Sequence, residues 1–346
     1  MGAHVRVLAV VPGPLLSGVA RHGLAVAEAL AEVGVDVTVV RRTDEPVDGP
    51  YDVVFVQYTD ALFGADAASA AAAFVDWSES APGPLVVTLH DVPGADPDRA
   101  RDARRLTAYA RVVSACAGVV FCSERERTGL GVRGVVYEVI PLPLMPLPAP
   151  GPEPAWGGRP TLAVLGFVYP GKGHAKALEA AAALRGTAGS PAEIAEVVAV
   201  GGPSPGCSGL LRDLHRRAAE LGVPFRVTGP LSDADLHAAA LAATVPLGAY
   251  RTLGASGSLM TWLACGRRPV VTRGPQAQET EARWPGSVRQ VAPDALVDAL
   301  AAAFADPAST WLPAPLAPAP LGERHMALFA SVLAEARGPG VGAVLR

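Results

Sequence analysis

Lysine is almost missing from this chain. Of its 29 basic residues only Lys172 and Lys176 are lysine, and the other 27 are arginine. Alanine, glycine, proline and arginine dominate, as a GC-rich coding bias produces, so a lysine that persists draws attention. Lys176, four positions further along a helical pattern, reads as chance. Charge is scarce too: 18% of 346 residues, with 29 basic and 33 acidic side chains spread along the chain for a net −4. No basic block or stripe forms, which argues against nucleic acid or an anionic membrane surface as the main partner. No 18 apolar residues run uninterrupted, and the alanine-rich stretch at 67–75 lies between Asp66 and Asp76. No stable membrane insertion is therefore expected. A basic leader with a small-residue cleavage site is lacking, and Cys116, Cys122, Cys207 and Cys265 show no CxxC or metal spacing. These absences point to a cytoplasmic protein with buried thiols. The seven histidines show no ligand spacing, so no metal is expected. Half the residues are hydrophobic, enough for a substantial core, and the length suggests about two domains.

What is present is a rhythm of short apolar runs and helical stretches. His4–Val11, Val35–Arg41, Asp52–Gln57, Leu85–His90, Gly118–Ser123 and Val135–Ile140 are near-continuous apolar runs. Parallel strands covered on both faces look like this. Helical patterns at Val19–Val33 and Arg99–Ala117 lie between them, the second with Leu106, Tyr109, Val112 and Val113 on one face. Eight prolines then fall within residues 141–160, where neither a helix nor a central strand can form. The alternation restarts with strands at Thr161–Phe167, Glu196–Gly201, Pro224–Thr228, Thr244–Leu247 and Pro269–Thr272. The expectation is α/β: two doubly wound parallel-sheet domains, Rossmann-like, over 1–145 and 161–320, joined by a proline-rich linker at 146–160. A last amphipathic helix in 321–346 is expected to return to the first domain.

Several loops carry chemistry. The first strand runs into PGPLLSGVARHG (12–23), where Gly13 and Gly18 permit close backbone approach ahead of a helix start that favours an anion. This is not GxGxxG, and no ribose-reading acid follows, which argues against a dehydrogenase. Thr88-Leu89-His90-Asp91 places a histidine at a strand's carboxyl end, where it is either a proton-transfer or hydrogen-bonding group or a satisfied structural residue. Gln57-Tyr58-Thr59-Asp60 sets three hydrogen-bonding side chains on the same rim. The strongest signal is LGFVYPGKGHAKALEAAAAL (165–184): strand, turn, Gly171-Lys172-Gly173, helix. A point charge beside orphan N–H groups makes a compact anion site. It is not a Walker A loop, because Gly173 and His174 follow the lysine. Gly254, Ser256, Gly257 and Ser258 open another helix after a strand and offer donors to a diphosphate, or simply an N-cap. A GxSxG elbow is absent, and Asp233-Ala234-Asp235 after Ser232 reads as capping.

These residues resemble, over essentially the whole chain, a retaining GT-B glycosyltransferase of family 4-like type. SGVARHGLAVAEALAEVGVDVTVV (17–40) is similar to that family's opening loop, helix and strand, and TLHD (88–91) to its strand bearing a substrate-facing histidine. GVVFCSERER (118–127) resembles the family's D-x-V-x-x-x-S strand, VIPLP (139–143) its exit into the linker, and LGFVYPGKG its donor loop. VTGPLSDADLHAAALAATVPLGAY (227–250) and LMTWLACGRRPVV (259–271) resemble the segments that follow. The family's acidic pair, E-x7-E, falls here on Leu253 and Thr261, and its loop arginine on Phe167, with Arg251 a substitute positive charge. The resemblance implies two domains facing a central cleft and a metal-independent, hexosyltransferase-like enzyme without a cofactor. A UDP- or GDP-linked sugar would be the donor and a small soluble acceptor, such as a natural-product intermediate, would attack it. It implies catalytic roles for His90 and Lys172. Donor contacts would come from Gly18, Gly171, Lys172, Gly201, Arg251, Gly254, Ala255, Ser256, Gly257, Ser258 and Thr261. Acceptor contacts would come from Ser17, His22, Tyr58, Thr59, Asp60 and Asp91. The alternative is a catalytically degenerate relative acting as a partner or regulatory subunit.

Overall fold

The computed structural model describes residues 5–15, 17–94, 98–185, 196–250 and 254–336. Two compact units emerge, one combining Met1–Pro143 with Ala319–Arg346 and the other spanning Leu144–Pro318. In the first, β1 (Arg6–Val10), β2 (Asp36–Val40), β3 (Val53–Tyr58), β4 (Leu85–Leu89), β5 (Gly118–Phe121) and β6 (Val136–Val139) form a parallel sheet. Its order is β2-β1-β3-β4-β5-β6. The intervening helices are α1 (Gly18–Glu32), α2 (Asp60–Phe63), α3 (Ala67–Ser78), α4 (Arg99–Ser114) and α5 (Glu124–Leu130). The second unit repeats the scheme with β7 (Thr161–Leu165), β8 (Glu196–Val200), β9 (Phe225–Val227), β10 (Val245–Gly248), β11 (Val270–Thr272) and β12 (Arg289–Val291). Here the parallel order is β12-β11-β10-β7-β8-β9. Its helices are α6 (His174–Arg185), α7 (Ser208–Glu220), α8 (Asp233–Ala242), α9 (Gly257–Ala264), α10 (Pro275–Arg283) and α11 (Leu296–Ala305). The chain closes with α12 (Leu321–Ala336). The short edge strand β12 was not foreseen, because three residues with one buried valine carry no periodicity to read.

Strand alternation sorts the first sheet's residues between two cores. Val54, Val56 and Tyr58 point to the α3 and α4 side, where they join Phe74, Tyr109 and Val112. Val53 and Phe55 point the other way, with Val86 and Val120, onto Val26 and Leu30 of α1 and Leu328, Phe329 and Val332 of α12. All six β3 side chains and all five of β4 are buried, as a central parallel strand requires. α12 thus shares the cover of one sheet face with α1. It approaches α1 so closely that a Cβ on Gly322 would stand 2.2 Å from the Ala29 carbonyl oxygen. Arg324 of α12 pairs with Glu138 of β6 and donates to the Val139 carbonyl at 2.9 Å.

In the second unit a guanidinium does the corresponding tying. Arg267 is completely buried and has no carboxylate partner among the described residues. Its Nη1 donates to the carbonyls of Ala240 (2.8 Å) and Ala243 (2.6 Å), its Nη2 to the Thr244 carbonyl (3.1 Å) and Thr310 Oγ1 (2.9 Å). These carbonyls lie at or just past the end of α8, the negative pole of the helix, which suits a cation. The planar group also lies 4.0 Å over the Trp311 ring.

Two expectations follow. Arg267→Lys supplies a point charge where a fork satisfies several carbonyls, and should cost about 2–4 kcal/mol in urea unfolding. A loss below about 0.5 kcal/mol, the scatter of ordinary surface changes, would dismiss this role. The second concerns acid. His325 is fully buried between Phe55 and Phe329, donates from Nδ1 to the Leu321 carbonyl at 2.8 Å, and is pushed down to about 3 by desolvation. Its folded value lies below the unfolded 6.5, so the unfolded state binds the proton first. The stability it contributes is intact above pH 6.5 and is lost as pH falls from there towards 3. Each pH unit in that window costs up to about 1.4 kcal/mol. The urea midpoint of His325→Leu should therefore fall less than that of the wild type on moving from neutral pH to about pH 4. Parallel decline of the two proteins would exclude His325 as a source of acid sensitivity.

Candidate functional site

In an open parallel sheet, ligands bind beyond the carboxyl ends of the strands where the strand order reverses. In the second unit that point lies between β7 and β10. The loop after β7 turns through Gly166 (φ +106°), Gly171 (φ +94°) and Gly173 (φ +104°). Side chains rarely adopt these angles, and a Cβ on Gly173 would also stand 2.5 Å from the Ala249 carbonyl oxygen. The loop is thereby pressed against the end of β10. Gly201, at the end of β8, closes against it from the other side, where a Cβ would meet the Gly166 oxygen at 2.4 Å.

Lys172 is held inside this loop with 4% of its surface exposed. Its Nζ donates to Ser258 Oγ and lies 5.1 Å from the Tyr250 ring centre and 5.7 Å from that of Tyr169. The Tyr250 hydroxyl (3.3 Å) and Ser256 Oγ (3.0 Å) converge on the same Ser258 Oγ. Ser256 caps α9, accepting from the Leu259 N–H at 3.3 Å. Among the described residues no carboxylate pairs with Lys172, and burial pulls its ammonium down to about 7. A desolvated amine, three hydroxyls and a helix start together form a site chemically suited to an anion. Gln276 of α10, with its amide oxygen towards the Ser256 N–H and its nitrogen donating to the Gly254 carbonyl at 3.0 Å, braces the loop. A cavity of about 170 Å³ lies against the Gly171–Gly173 turn, lined also by Tyr169, Pro170, His174, Leu210, Leu214 and Ala249.

The first unit has its switch point between β1 and β3, and there too side chains gather. His22 heads the buried α1 stripe of His22, Val26 and Leu30. Gln57 continues the face of Val53 and Phe55, and His90 continues that of Val86 and Thr88. They meet: Gln57 Oε1 accepts from His22 Nδ1 at 2.9 Å and from His90 Nε2 at 2.8 Å. Burial lowers both histidines below their ordinary pKa and so keeps the rings neutral. The Tyr109 hydroxyl donates to the His90 carbonyl at 2.8 Å, pinning the backbone. Next to them Arg105 grips Asp60 through Nε (2.7 Å) and Nη2 (3.2 Å) and donates to the Asp91 carbonyl at 3.0 Å. The Thr59 hydroxyl donates to the Asp91 carboxylate at 3.3 Å. Asp91 has φ +52°, alone among the described non-glycine residues in being positive, a strained conformation of the kind that accompanies ligand sites.

The other residues singled out in the sequence take varied places, and one of them is a correction. Tyr58 does not belong to the rim: the pleat turns it away from Gln57 into the packing of Phe63, Phe74 and Tyr109, where it is fully buried. Ser17 is the N-cap of α1, accepting from the Ala20 N–H at 3.1 Å. No protein atom lies near a Cβ added to Gly18, so packing does not demand glycine there. Asp60 is occupied by Arg105, and the Thr261 hydroxyl by the Gly257 carbonyl at 3.0 Å. Ala255 and Gly257 flank Ser256 in the loop opening α9. Arg251 lies outside the described residues, as does Leu253. Gln57, Arg105, Tyr250 and Gln276 were missed as site residues; for Gln57 the period-2 pattern was the available signal, and for Gln276 there was none.

Among the described residues no group of three or more His, Cys, Asp or Glu could hold a metal ion. No described helix is long and apolar enough to cross a membrane. No family model and no curated protein matches the sequence. Solved structures do match it over nearly its whole length. Sucrose-phosphate synthase from Thermosynechococcus elongatus aligns with 17% identity and a TM-score of 0.65, covering 96% of this chain and 97% of that one. HepE from Anabaena, in complex with UDP-glucose, gives 15%, 0.63, 96% and 99%. A glycosyltransferase from Rickettsia africae gives 13%, 0.61, 96% and 99%. The chain therefore has the GT-B fold, two parallel-sheet units each carrying its residues of interest at a strand-order reversal.

With only two lysines, the protein labelled at lysine Nζ with 15N should show two side-chain signals. That of Lys172 is expected to titrate near 7 and to move upward when a nucleoside diphosphate is added. A spectrum with no titration near neutrality would remove the buried-amine site.

Proposed function

We propose that this protein is a retaining glycosyltransferase that moves a sugar from a nucleotide diphosphate sugar to a small soluble acceptor. The observation that carries the reading is Lys172: a buried amine that no described carboxylate pairs, beside the capped start of α9. A protein does not keep such a group at a strand-order reversal for stability, since burial of an unpaired amine costs free energy. The donor diphosphate would lie on Lys172, Ser256, Ser258 and the N–H groups of α9. As the bond from the anomeric carbon to the diphosphate oxygen breaks, its electron pair stays on the diphosphate. The growing charge is met by groups already oriented, the arrangement that stabilises a transition state most effectively. Lys172 would take up its proton as the diphosphate arrives and hold the leaving group; His90, with Asp91 and Thr59, would orient the sugar or the acceptor. The likeness to HepE, whose structure contains UDP-glucose, supports a UDP-linked donor.

The degenerate, non-catalytic reading has one observation in its favour. Thr261, which stands where the resembled family has an acid, is hydrogen-bonded within its own helix and offers no carboxylate. Both readings meet the same tests. UDP, GDP, dTDP and ADP are screened by thermal shift, and at least one should raise the melting temperature. Turnover is then measured with the stabilising nucleotide's sugars. Lys172→Ala should lower turnover roughly thirty- to a thousandfold, the loss of about 2–4 kcal/mol of transition-state stabilisation, and weaken donor affinity less. Lys176→Ala should behave as wild type. No response to any nucleotide ends the transferase reading, and nucleotide binding without turnover on a broad acceptor panel selects the degenerate one.

A further inference from the structure

A neutral amine is a nucleophile and an ammonium is not, so what a lysine can react with depends on which form its surroundings favour. Lys172 is buried, and among the described residues its Nζ has one hydrogen-bond partner, Ser258 Oγ. No described carboxylate faces it, and the rings of Tyr250 and Tyr169 stand 5.1 and 5.7 Å away. The Gly166 backbone closes on a further side, where a Cβ would meet Nζ at 3.1 Å. Burial brings the ammonium down to about 7, so about half the molecules carry a free amine at neutral pH. His174, two positions on, is pushed by desolvation to about 4 and brings no charge of its own. The Ser258 hydroxyl meets those of Ser256 at 3.0 Å and Tyr250 at 3.3 Å. Among the described residues no carbonyl or carboxylate oxygen accepts a proton from these three hydroxyls. Ser256 and Ser258 open α9, where orphan N–H groups and the helix dipole favour negative charge.

We infer that Lys172 is a carbamylation site: its Nζ takes up carbon dioxide, and the hydroxyls of Ser256, Ser258 and Tyr250 hold the resulting carbamate at the start of α9. The Nζ lone pair forms a bond to the carbon of carbon dioxide, one carbon–oxygen π pair moves onto oxygen, and the nitrogen releases one proton to solvent. Nothing is oxidised or reduced. A buried amine that no described carboxylate pairs becomes an anion among hydrogen-bond donors, the charge-assisted arrangement that is strongest away from water. Carbon dioxide is small and uncharged, so it enters an apolar setting at little cost. An anionic acyl donor would instead favour the protonated amine and so suppress its own attack. The carbamate puts negative charge where the donor diphosphate would lie, so dissolved carbon dioxide would act as a brake on donor binding. That consequence rests on the transferase reading; the carbamate itself does not.

The full-length protein in 13C-labelled bicarbonate at neutral pH, where carbon dioxide is supplied by equilibrium, should show a carbamate carbon signal apart from that of bicarbonate. Triethyloxonium ion converts a carbamate into a stable ethyl carbamate, and peptide mapping then separates Lys172 from Lys176 and from the α-amino group. The trapped group is expected on Lys172, with Lys176 unmodified. Ser258→Ala withdraws one donor from the anion and should lower the carbamate equilibrium constant about tenfold, the worth of one hydrogen bond to a charged group. An unmodified Lys172, or a Lys172 carbamate that Ser258→Ala leaves unchanged, overturns the inference. The wild-type map needs no variant and decides the matter if Ser258→Ala does not fold. A Lys172 carbamate in a protein that answers to no nucleotide would end the transferase reading and leave this one standing.

Discussion

A parallel sheet covered by helices on both faces leaves its backbone and side chains only one place to meet a ligand. Along β3 and β4 every side chain is buried, and each main-chain donor and acceptor of the interior serves the ladder. Polar groups that are to do chemistry must therefore collect where the strands stop, and among those ends the strand-order reversals provide the gap. This constraint places Lys172 at the mouth of β7 and β10 and places His22, Gln57 and His90 at that of β1 and β3. It also imposes a finer rule. Two consecutive residues at a strand end belong to opposite faces, so Gln57 becomes part of a polar cluster while Tyr58 becomes part of an aromatic one.

Two buried cations in the second unit illustrate what an interior does with charge. Arg267 is enclosed by carbonyl oxygens and an indole, so every part of its fork is occupied and no anion is called for. Lys172 sits between two phenol rings with a hydroxyl as its hydrogen-bond acceptor, and its amine is correspondingly pushed towards neutrality. The first arrangement is complete in itself, and its effect is to tie the Thr310 segment to the end of α8. The second leaves the amine with a single hydroxyl partner, the chemistry that an anion would suit. Burial alone does not separate them; the partner atoms do.

Much of this was legible beforehand. Near-continuous runs such as VVFVQY and LVVTL announce buried parallel strands, and the proline cluster after residue 140 marks where one sheet ends before the next begins. The Gly-Lys-Gly turn stood out because lysine is so rare here. What sequence could not show is convergence between distant positions: Lys172 meets Ser258 across 86 residues and His22 meets Gln57 across 35. Pairings of that kind depend on strand order, which no local pattern encodes. The misplacement of Tyr58 has another origin, since a run of polar letters at a strand end was read as a single surface although the pleat divides it.

The return of α12 to the first sheet carries a consequence for how the protein is made. Residues Leu321–Ala336 supply one wall of a core whose other members were synthesised nearly two hundred residues or more earlier. The unit spanning Leu144–Pro318 is continuous and can complete its packing during elongation. The other unit must wait, with Phe55, Val86 and Val120 lacking part of their cover, until α12 has been synthesised. Of the two sheets, the one made earlier is finished later, which lengthens its exposure to chaperones and proteases on the growing chain.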